Sequence, residues 1–212
     1  MKIYFANIKD FDETFFENAF RFIPPEKKDA ICRFKNERAK KESLLGWYLF
    51  SLGAKENGNE NFELCFSEKG KPYIKNSAFH FNISHSDSVV CCVFAKSEVG
   101  IDIEKPKPFS ASVANRVLCE NEKKVLGQSQ NKEETFIRFW TLKESILKQS
   151  GEGITAGLKT LDFSAFVNEK EFVYENLNFM TGEIEDLLLS VCLEEKESEF
   201  LLKMTGDEPD MV

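Results

Sequence analysis

Two neighbouring stretches of this chain alternate apolar and polar residues, and they constrain the fold more than any other feature. The first covers residues 79–84 and the second covers residues 99–104, with an apolar run over 89–95 between them. A period of two is that of a β-strand whose faces differ. The pattern predicts a strand, a tight polar loop over residues 85–88, and a β-hairpin that turns at residues 96–98.

The second alternating stretch places two carboxylates on one face of its strand. Asp102 and Glu104 share that face with Gly100, which has no side chain. Adjacent acids on a strand repel each other unless a positive charge lies between them. Carboxylate oxygens suit Mg²⁺, which usually binds one or two of them together with phosphates and water. We therefore expect a divalent cation at Asp102 and Glu104.

Helical patterns precede strand-like runs in both halves of the chain. The predicted helices cover residues 12–22, 27–34, 43–53, 110–126 and 133–149, with Gly53 and Gly58 closing the third. Strand-like runs cover residues 1–8 and 62–66, and further runs occur near residues 163, 171–179, 187–193 and 200–204. A loose polar tail is expected from Thr205.

A proline-rich linker at residues 105–108 suggests two subdomains of one compact unit, residues 1–104 and 105–212. A weak internal sequence repeat suggests a duplication. It consists of Lys41-Glu-Ser-Leu-Leu45 and Lys143-Glu-Ser-Ile-Leu147. The five residues are common in helices, so a chance match stays open.

Composition restricts the class of protein. The formal charge of −8 argues against a general nucleic-acid binder, and no signal pattern or membrane-length apolar run is present, so we expect a cytoplasmic protein without a membrane role. The six cysteines show no paired spacing and are expected to be reduced.

Residues 21–41 carry eight basic against three acidic side chains. That segment could bind a phosphate-rich ligand, but on charge alone a solvated helix face with ion pairs is the better explanation.

The predicted helix over residues 133–149 offers a third carboxylate. Trp140, Glu144 and Lys148 are four residues apart and share one face, whereas Lys143 points elsewhere and is expected to tolerate replacement. Taken alone, Glu144 and Lys148 read as a surface ion pair. Beside Asp102 and Glu104, however, they would complete a metal site and supply a counter-charge for phosphate.

Ser84 and His85 offer two hydrogen-bonding groups to one phosphate. A lone histidine in a turn is more often structural than catalytic. A Ser-His-Asp hydrolase is disfavoured because neighbours in sequence seldom form that geometry and no nucleophile elbow is present.

Three motifs in order resemble those of the surfactin-synthetase-type 4'-phosphopantetheinyl transferases. They are Phe81-Asn-Ile-Ser-His-Ser86, Gly100-Ile-Asp-Ile-Glu104 and Phe139-Trp-Thr-Leu-Lys-Glu-Ser-Ile-Leu-Lys148. Upstream, Gly70-Lys71-Pro72-Tyr73 and Pro25-Glu26-Lys27 also fit. The likeness covers about residues 1–160.

The resemblance implies an α+β fold of two similar halves related by pseudo-twofold symmetry. Each half would be an antiparallel sheet packed with helices, and the active site would lie in the cleft between them. The implied reaction transfers 4'-phosphopantetheine from coenzyme A, with Mg²⁺, to a serine of an apo acyl or peptidyl carrier protein, and releases adenosine 3',5'-bisphosphate. We expect a monomer.

The resemblance also implies a role for each matching residue. Asp102, Glu104 and Glu144 would bind the metal. Lys148 would neutralise the pyrophosphate, and Glu144 would take the serine proton, with Glu122 as the second candidate for the base. The remaining coenzyme-binding residues would be Lys27, Ser43, Lys71, Ser84 and His85.

Two positions depart from the family pattern. Ala30 stands where some relatives have a lysine, and Glu42 stands where a basic residue is frequent. Lys28, Lys40 or Lys41 are possible substitutes. Two alternatives therefore stay open: another Mg²⁺-dependent phosphoryl or nucleotidyl transferase, and a catalytically idle module that binds coenzyme A or carrier proteins.

Overall fold

The chain forms two compact units, each built around a β-sheet. The structure, a computed structural model, describes residues 1–58, 62–153 and 157–198 and the backbone of 200–203. The first unit contains Met1–Lys96 and the C-terminal segment that starts at Glu197, and the second is Ser97–Lys196. We predicted a division between Glu104 and Lys105, eight residues further along the chain.

The first unit carries a four-stranded sheet with the strand order β10-β1-β5-β4. Its elements are β1 (Lys2–Asn7), α1 (Glu13–Ala19), α2 (Pro25–Cys32), α3 (Glu37–Glu56), β2 (Leu64–Phe66), β3 (Pro72–Ile74), β4 (His80–Ser86), β5 (Val89–Ala95) and, from the other end of the chain, β10 (Phe200–Lys203). Strands β1, β5 and β4 are antiparallel neighbours, whereas β10 is parallel to β1. Strands β2 and β3 form a separate antiparallel ribbon.

Helix α3 packs its apolar face on this sheet. The Asn36 side chain caps its first turn by accepting a hydrogen bond from the Ala39 N–H. We predicted that Gly53 and Gly58 close this helix, but α3 continues past Gly53 to Glu56, and Gly58, with φ 73°, follows its end. A Cβ atom at Gly53 would lie 2.3 Å from the Phe94 ring, so this glycine instead lets a β5 side chain approach the helix.

The second unit carries an antiparallel sheet with the strand order β6-β9-β8-β7. Its elements are β6 (Val99–Glu104), α4 (Ala111–Val117), α5 (Glu120–Gln128), α6 (Lys132–Ser150), β7 (Glu171–Tyr174), β8 (Leu177–Ile184) and β9 (Leu187–Leu193). The predicted helix over 110–126 is therefore two helices, because a capping box at Cys119 and Glu122 starts a new one. Gly151, in the left-handed region with φ 71°, ends α6 as predicted.

The hairpin of the alternating region differs from the prediction. Strands β4 and β5 pair in one sheet through a turn at Asp87 and Ser88, whose φ values are 45° and 76°. Positive φ at both central residues is typical of a tight two-residue hairpin turn. Strand β6 pairs with β9 instead of with β5, so the predicted hairpin at residues 96–98 is wrong.

The predicted α+β class with antiparallel sheets and packed helices is confirmed. All six cysteines are free thiols; Cys91, Cys92 and Cys192 are buried, whereas Cys32 is exposed. Among the described residues, the helices are too short or too polar to cross a membrane. The tail predicted from Thr205 lies outside the described residues.

Candidate active site

The backbones of strand β6 and helix α6 come very close together at Gly100, because this residue has no side chain. A Cβ atom there would lie 2.0 Å from the backbone oxygen of Ser145 and 2.3 Å from the backbone nitrogen of Gln149. Two residues further along the same face, Asp102 is buried at 5% exposure. The glycine thus brings the two predicted metal carboxylates of the strand next to the one of the helix, Glu144.

Helix α6 contributes Glu144, a second buried carboxylate. Its Oε1 atom is buried and accepts no hydrogen bond from the residues that the structure describes. Burial, together with the negative charges of Asp102 and Glu104, raises the pKa of the Glu144 carboxyl to about 7, against the opposing effect of Lys148. A buried acid with an unsatisfied oxygen and acidic neighbours is a costly arrangement unless a cation binds there.

Lys148 lies one turn after Glu144 on the same helix. Its Nζ atom donates a 2.7 Å hydrogen bond to Oδ1 of Asp102. Glu104, at the half-buried end of β6, accepts a 3.1 Å hydrogen bond from Lys107. The structure therefore brings Asp102, Glu144 and Lys148 together.

These side chains fit a hard divalent cation. The donor set consists of carboxylate oxygens, two of the acids are buried, and one buried oxygen still lacks a hydrogen-bond donor among the described residues. Mg²⁺ and Ca²⁺ both prefer such oxygen ligands, and Mg²⁺ tolerates a small protein ligand set.

Glu122 lies elsewhere in the second unit, in a buried ion pair with Lys143. Both side chains are fully buried, and Lys143 Nζ is 2.8 Å from Glu122 Oε2. The carboxylate also accepts hydrogen bonds from the backbone N–H groups of Cys119 and Phe163. These contacts use the Glu122 carboxylate to join α5, α6 and the segment around Phe163, which favours a structural role over that of a base.

Lys143 does point away from Glu144, but the expectation that its replacement is tolerated conflicts with its surroundings. The ammonium group donates to the backbone oxygens of Leu158 and Leu161 in addition to its pairing with Glu122. Helical spacing showed the direction of this side chain but could not show that the chain beyond α6 folds back to bury it.

In the first unit, Ser84 and His85 occupy consecutive positions of β4 and so face opposite sides of the sheet. Ser84 is buried, and the His85 side chain is half-exposed. Its Nδ1 atom lies 3.5 Å from Oε2 of Glu42. Sequence reasoning treated Glu42 only as a departure from a family pattern and missed its position beside His85, which depends on how α3 packs against β4.

Lys27 lies between two aromatic rings of the first unit. Its ammonium is 4.5 Å from the centre of the Trp47 ring and 4.1 Å from that of Phe66. Burial lowers the pKa of Lys27. The aromatic pair fixes this cation in place, and neither ring was identified from the sequence.

The two other predicted coenzyme-binding residues also belong to the first unit. Ser43 is half-buried on α3, and Lys71 lies in the turn that joins β2 to β3. The Lys71 backbone N–H donates to the Ser67 hydroxyl, and Gly70 takes φ 88° there. That turn conformation is one that glycine adopts readily.

Comparisons with known proteins cover both units. Residues 98–200 match the model of the 4'-phosphopantetheinyl transferase superfamily, and residues 11–97 match that of the 4'-phosphopantetheinyl transferase N-terminal region.

Curated relatives agree. The 4'-phosphopantetheinyl transferase Sfp of Bacillus subtilis (strain 168) is 37% identical over 67% of this chain and 66% of its own length. The enzyme gsp of Aneurinibacillus migulanus is 36% identical over 62% of this chain and 57% of its own length, so the aligned region spans less than two thirds of both relatives. The enzyme psf-1 of Bacillus pumilus is 31% identical over 80% of this chain and 76% of its own length. The chain therefore belongs to the 4'-phosphopantetheinyl transferase superfamily.

Proposed function

We propose that the protein transfers 4'-phosphopantetheine from coenzyme A to a serine of an apo acyl or peptidyl carrier protein, in a Mg²⁺-dependent reaction. The serine oxygen attacks the β-phosphate of coenzyme A and forms a new P–O bond. The bond from that phosphorus to the bridging oxygen breaks, and adenosine 3',5'-bisphosphate leaves. The observation that carries this proposal is the buried pair of Asp102 and Glu144 beside Lys148.

The second unit supplies the groups for the chemical step. Asp102, Glu104 and Glu144 would hold Mg²⁺, which when bound supplies positive charge to the phosphate oxygens. Lys148 neutralises negative charge on the pyrophosphate. Phosphoryl transfer depends mainly on such charge neutralisation and alignment.

Glu144 is our candidate for the base that takes the serine proton. The pKa of its carboxyl is raised to about 7 in the metal-free chain, and bound Mg²⁺ would lower it and keep the carboxylate ionised, so that it can accept a proton. Glu122 is the weaker candidate because its carboxylate is already hydrogen-bonded and paired with Lys143 inside the second unit.

The first unit would bind coenzyme A. His85 holds a phosphate with its exposed side chain, Ser84 contributes from the opposite face of β4, and Lys27, Ser43 and Lys71 bind the nucleotide end. The position of the Lys27 ammonium between Trp47 and Phe66 supports this assignment, since a preplaced cation loses less conformational freedom when an anion binds.

The carrier protein would dock on apolar surface near the metal residues. A groove beside Glu104 is lined by Phe109, Val113 and Trp140 together with Lys107. Because both this chain and typical carriers are acidic, we propose that local apolar contacts, helped by a basic residue, outweigh the overall charge.

Several finer predictions belong to this proposal. They are a pseudo-twofold relation between similar halves with the active site in their cleft, a monomeric state, a cytoplasmic location, and the absence of nucleic-acid or membrane partners.

The test is the intact mass of an apo carrier protein after incubation with this protein, coenzyme A and Mg²⁺. We expect a gain of one phosphopantetheine unit, which EDTA prevents and added Mg²⁺ restores. Transfer that proceeds equally in EDTA would refute the metal assignment. Coenzyme A binding without transfer to several carrier types would identify an idle binding module, and use of a nucleoside triphosphate as donor would identify another phosphoryl or nucleotidyl transferase.

A further inference from the structure

Glu42 is a buried carboxylate directly after the basic segment of residues 21–41. It lies on α3 at 7% exposure. Its Oε1 atom accepts a 2.9 Å hydrogen bond from Arg38 Nε and a 3.3 Å hydrogen bond from the Ser88 backbone N–H. Its Oε2 atom lies 3.5 Å from His85 Nδ1.

This arrangement is more than a surface ion pair along one helix. Exposed pairs four residues apart contribute little to stability, and a buried carboxylate needs several donors. The donors to Glu42 come from its own helix and from the β4–β5 hairpin, at a turn where Asp87 and Ser88 both have positive φ. Glu42 therefore ties α3 to the hairpin that carries His85.

Arg38 compensates the charge that Glu42 adds. Besides its bond to Glu42, its Nη2 atom donates to Oδ1 of Asp87 at 3.4 Å. The guanidinium thus bridges the two acids on either side of it. An acidic residue at position 42 would repel a phosphate if it faced the ligand alone, but here it is buried and paired.

The contact with Glu42 also determines which nitrogen of His85 is available to a ligand. Nδ1 faces the carboxylate, and the side chain remains 49% exposed. A carboxylate at this distance favours the proton on Nδ1 and restricts rotation of the ring, which leaves Nε2 for the ligand. In the imidazolium form, Nε2 carries the second N–H and can donate it to a phosphate oxygen.

We propose that Glu42 is a positioning residue that orients the His85 imidazole towards a phosphate of coenzyme A, with Arg38 neutralising the Glu42 carboxylate. This inference rests on the proposed function, because it takes His85 as a ligand of coenzyme A. It reverses the expectation from the family pattern: restoring a basic residue at position 42 removes the carboxylate that holds His85 and weakens coenzyme A binding.

The first test measures coenzyme A affinity by calorimetry in a double-mutant cycle. We expect Glu42→Gln and His85→Asn each to weaken binding about tenfold, as orienting partners of histidines commonly do. The double variant should bind no worse than His85→Asn alone, because Glu42 acts through His85. Glu42→Arg should also bind more weakly than the wild type. Glu37→Gln is the control, since Glu37 is an exposed acid of the same helix.

Kinetics distinguish positioning from loss of folding. With thermal stability measured in parallel, we expect Glu42→Gln to raise the KM for coenzyme A more than it lowers kcat. Additive effects in the cycle, or tighter binding by Glu42→Arg, would overturn the inference while leaving the proposed function intact.

The second test needs no coenzyme A and so separates the inference from the proposed function. The chain has only two histidines, which makes ¹⁵N-histidine NMR assignments simple. In the neutral ring we expect the proton of His85 on Nδ1, and we expect Glu42→Ala to shift it towards Nε2 whereas Glu37→Ala does not. A wild-type His85 protonated on Nε2, or a tautomer unchanged in Glu42→Ala, would refute the positioning role.

Discussion

At the scale of the residue, Glu144 links metal binding to pH. Burial and the neighbouring acids raise its pKa to about 7, so below that pH a bound proton competes with Mg²⁺. Without metal, the folded chain holds this proton between about pH 4.5 and 7 while the unfolded chain has lost it, and its contribution to stability falls as pH rises. Mg²⁺ should reverse this fall in stability with rising pH, because it binds the ionised form of the Glu144 carboxylate.

We therefore predict that the increase in melting temperature caused by Mg²⁺ is small at pH 5.5 and grows through pH 7 to a plateau above it. Thermal unfolding with and without a fixed Mg²⁺ concentration measures this increment. Glu144→Gln should remove most of the pH dependence. An increment that is equal at all pH values would show that Glu144 does not bind the metal.

The second prediction at this scale concerns transfer activity. Asp102→Ala and Glu144→Ala should each reduce transfer to the background rate, because the two carboxylates come from different elements and neither can replace the other. Glu133→Ala, at an exposed position of α6, should leave the rate within about twofold.

Circular dichroism would establish that these variants fold, and the carrier mass assay would give the rates. Substantial transfer by folded Asp102→Ala or Glu144→Ala would refute the site assignment. Lys143 is unsuitable as a control, since its side chain is buried with Glu122.

At the scale of the element, the packing of β6 on α6 depends on Gly100. Adding one methyl group there forces contact with backbone atoms of Ser145 and Gln149, which cannot move as a flexible side chain can. Overpacking of this kind typically costs about 1–3 kcal/mol. Gly100→Ala should therefore lower the free energy of unfolding and also reduce transfer, because it displaces Asp102 from α6.

The matched control is Gly127→Ala in α5. A Cβ atom at that position meets nothing within 4 Å among the described residues, so alanine should be neutral or stabilise the helix by up to about 1 kcal/mol. Urea unfolding of both variants gives the comparison. Equal stability of the two would mean that β6 has room to move away from α6.

The Glu122–Lys143 pair gives another prediction for the helices. Lys143→Met leaves a buried carboxylate without its cation, which should destabilise the protein by about 3–5 kcal/mol. Adding Glu122→Gln should restore part of this loss, since the amide oxygen can still accept from the backbone while the buried charge is gone. If the double variant were less stable than Lys143→Met in urea, the pair would not be the source of the loss.

The elements show which parts of the site were predictable from the sequence. Periodicity placed Asp102, Glu104, Glu144 and Lys148 correctly on one strand and one helix, because local backbone geometry fixes which side chains share a face. It could not predict that β6 pairs with β9, which follows more than 80 residues later. The surroundings of Lys143, Glu42 and Lys27 depend on such long-range packing and were missed for the same reason.

At the scale of the whole molecule, the C-terminal segment was the hardest part to predict. A strand-like run near residue 200 was identified, but its pairing with β1 near the N-terminus leaves no local signal. The same contact returns the chain to the first unit, so the units are not simply the two halves of the sequence. We expected a division at residues 105–108, because proline-rich composition is typical of a linker. The second unit instead begins before β6, because β6 pairs with β9 of that unit.

The net charge of the molecule leads to a prediction about its protein partner. With a formal charge of −8, this chain repels an acidic carrier at long range, and that repulsion weakens as salt screens it. If docking depends on the apolar groove beside Glu104, carrier affinity should stay constant or rise slightly from low to physiological ionic strength.

Phe109→Ala should then raise the KM for the carrier while leaving coenzyme A affinity unchanged, because Phe109 lines the groove and stacks on Phe136.

Fluorescence anisotropy of a labelled apo carrier across a salt series measures the first effect, and carrier-dependent kinetics measure the second. Loss of binding at physiological salt would show that attraction between opposite charges drives docking in spite of the net charge. In that case Lys107, the basic residue of the groove, would be the first position to replace, since removing its charge would weaken carrier binding most at low salt.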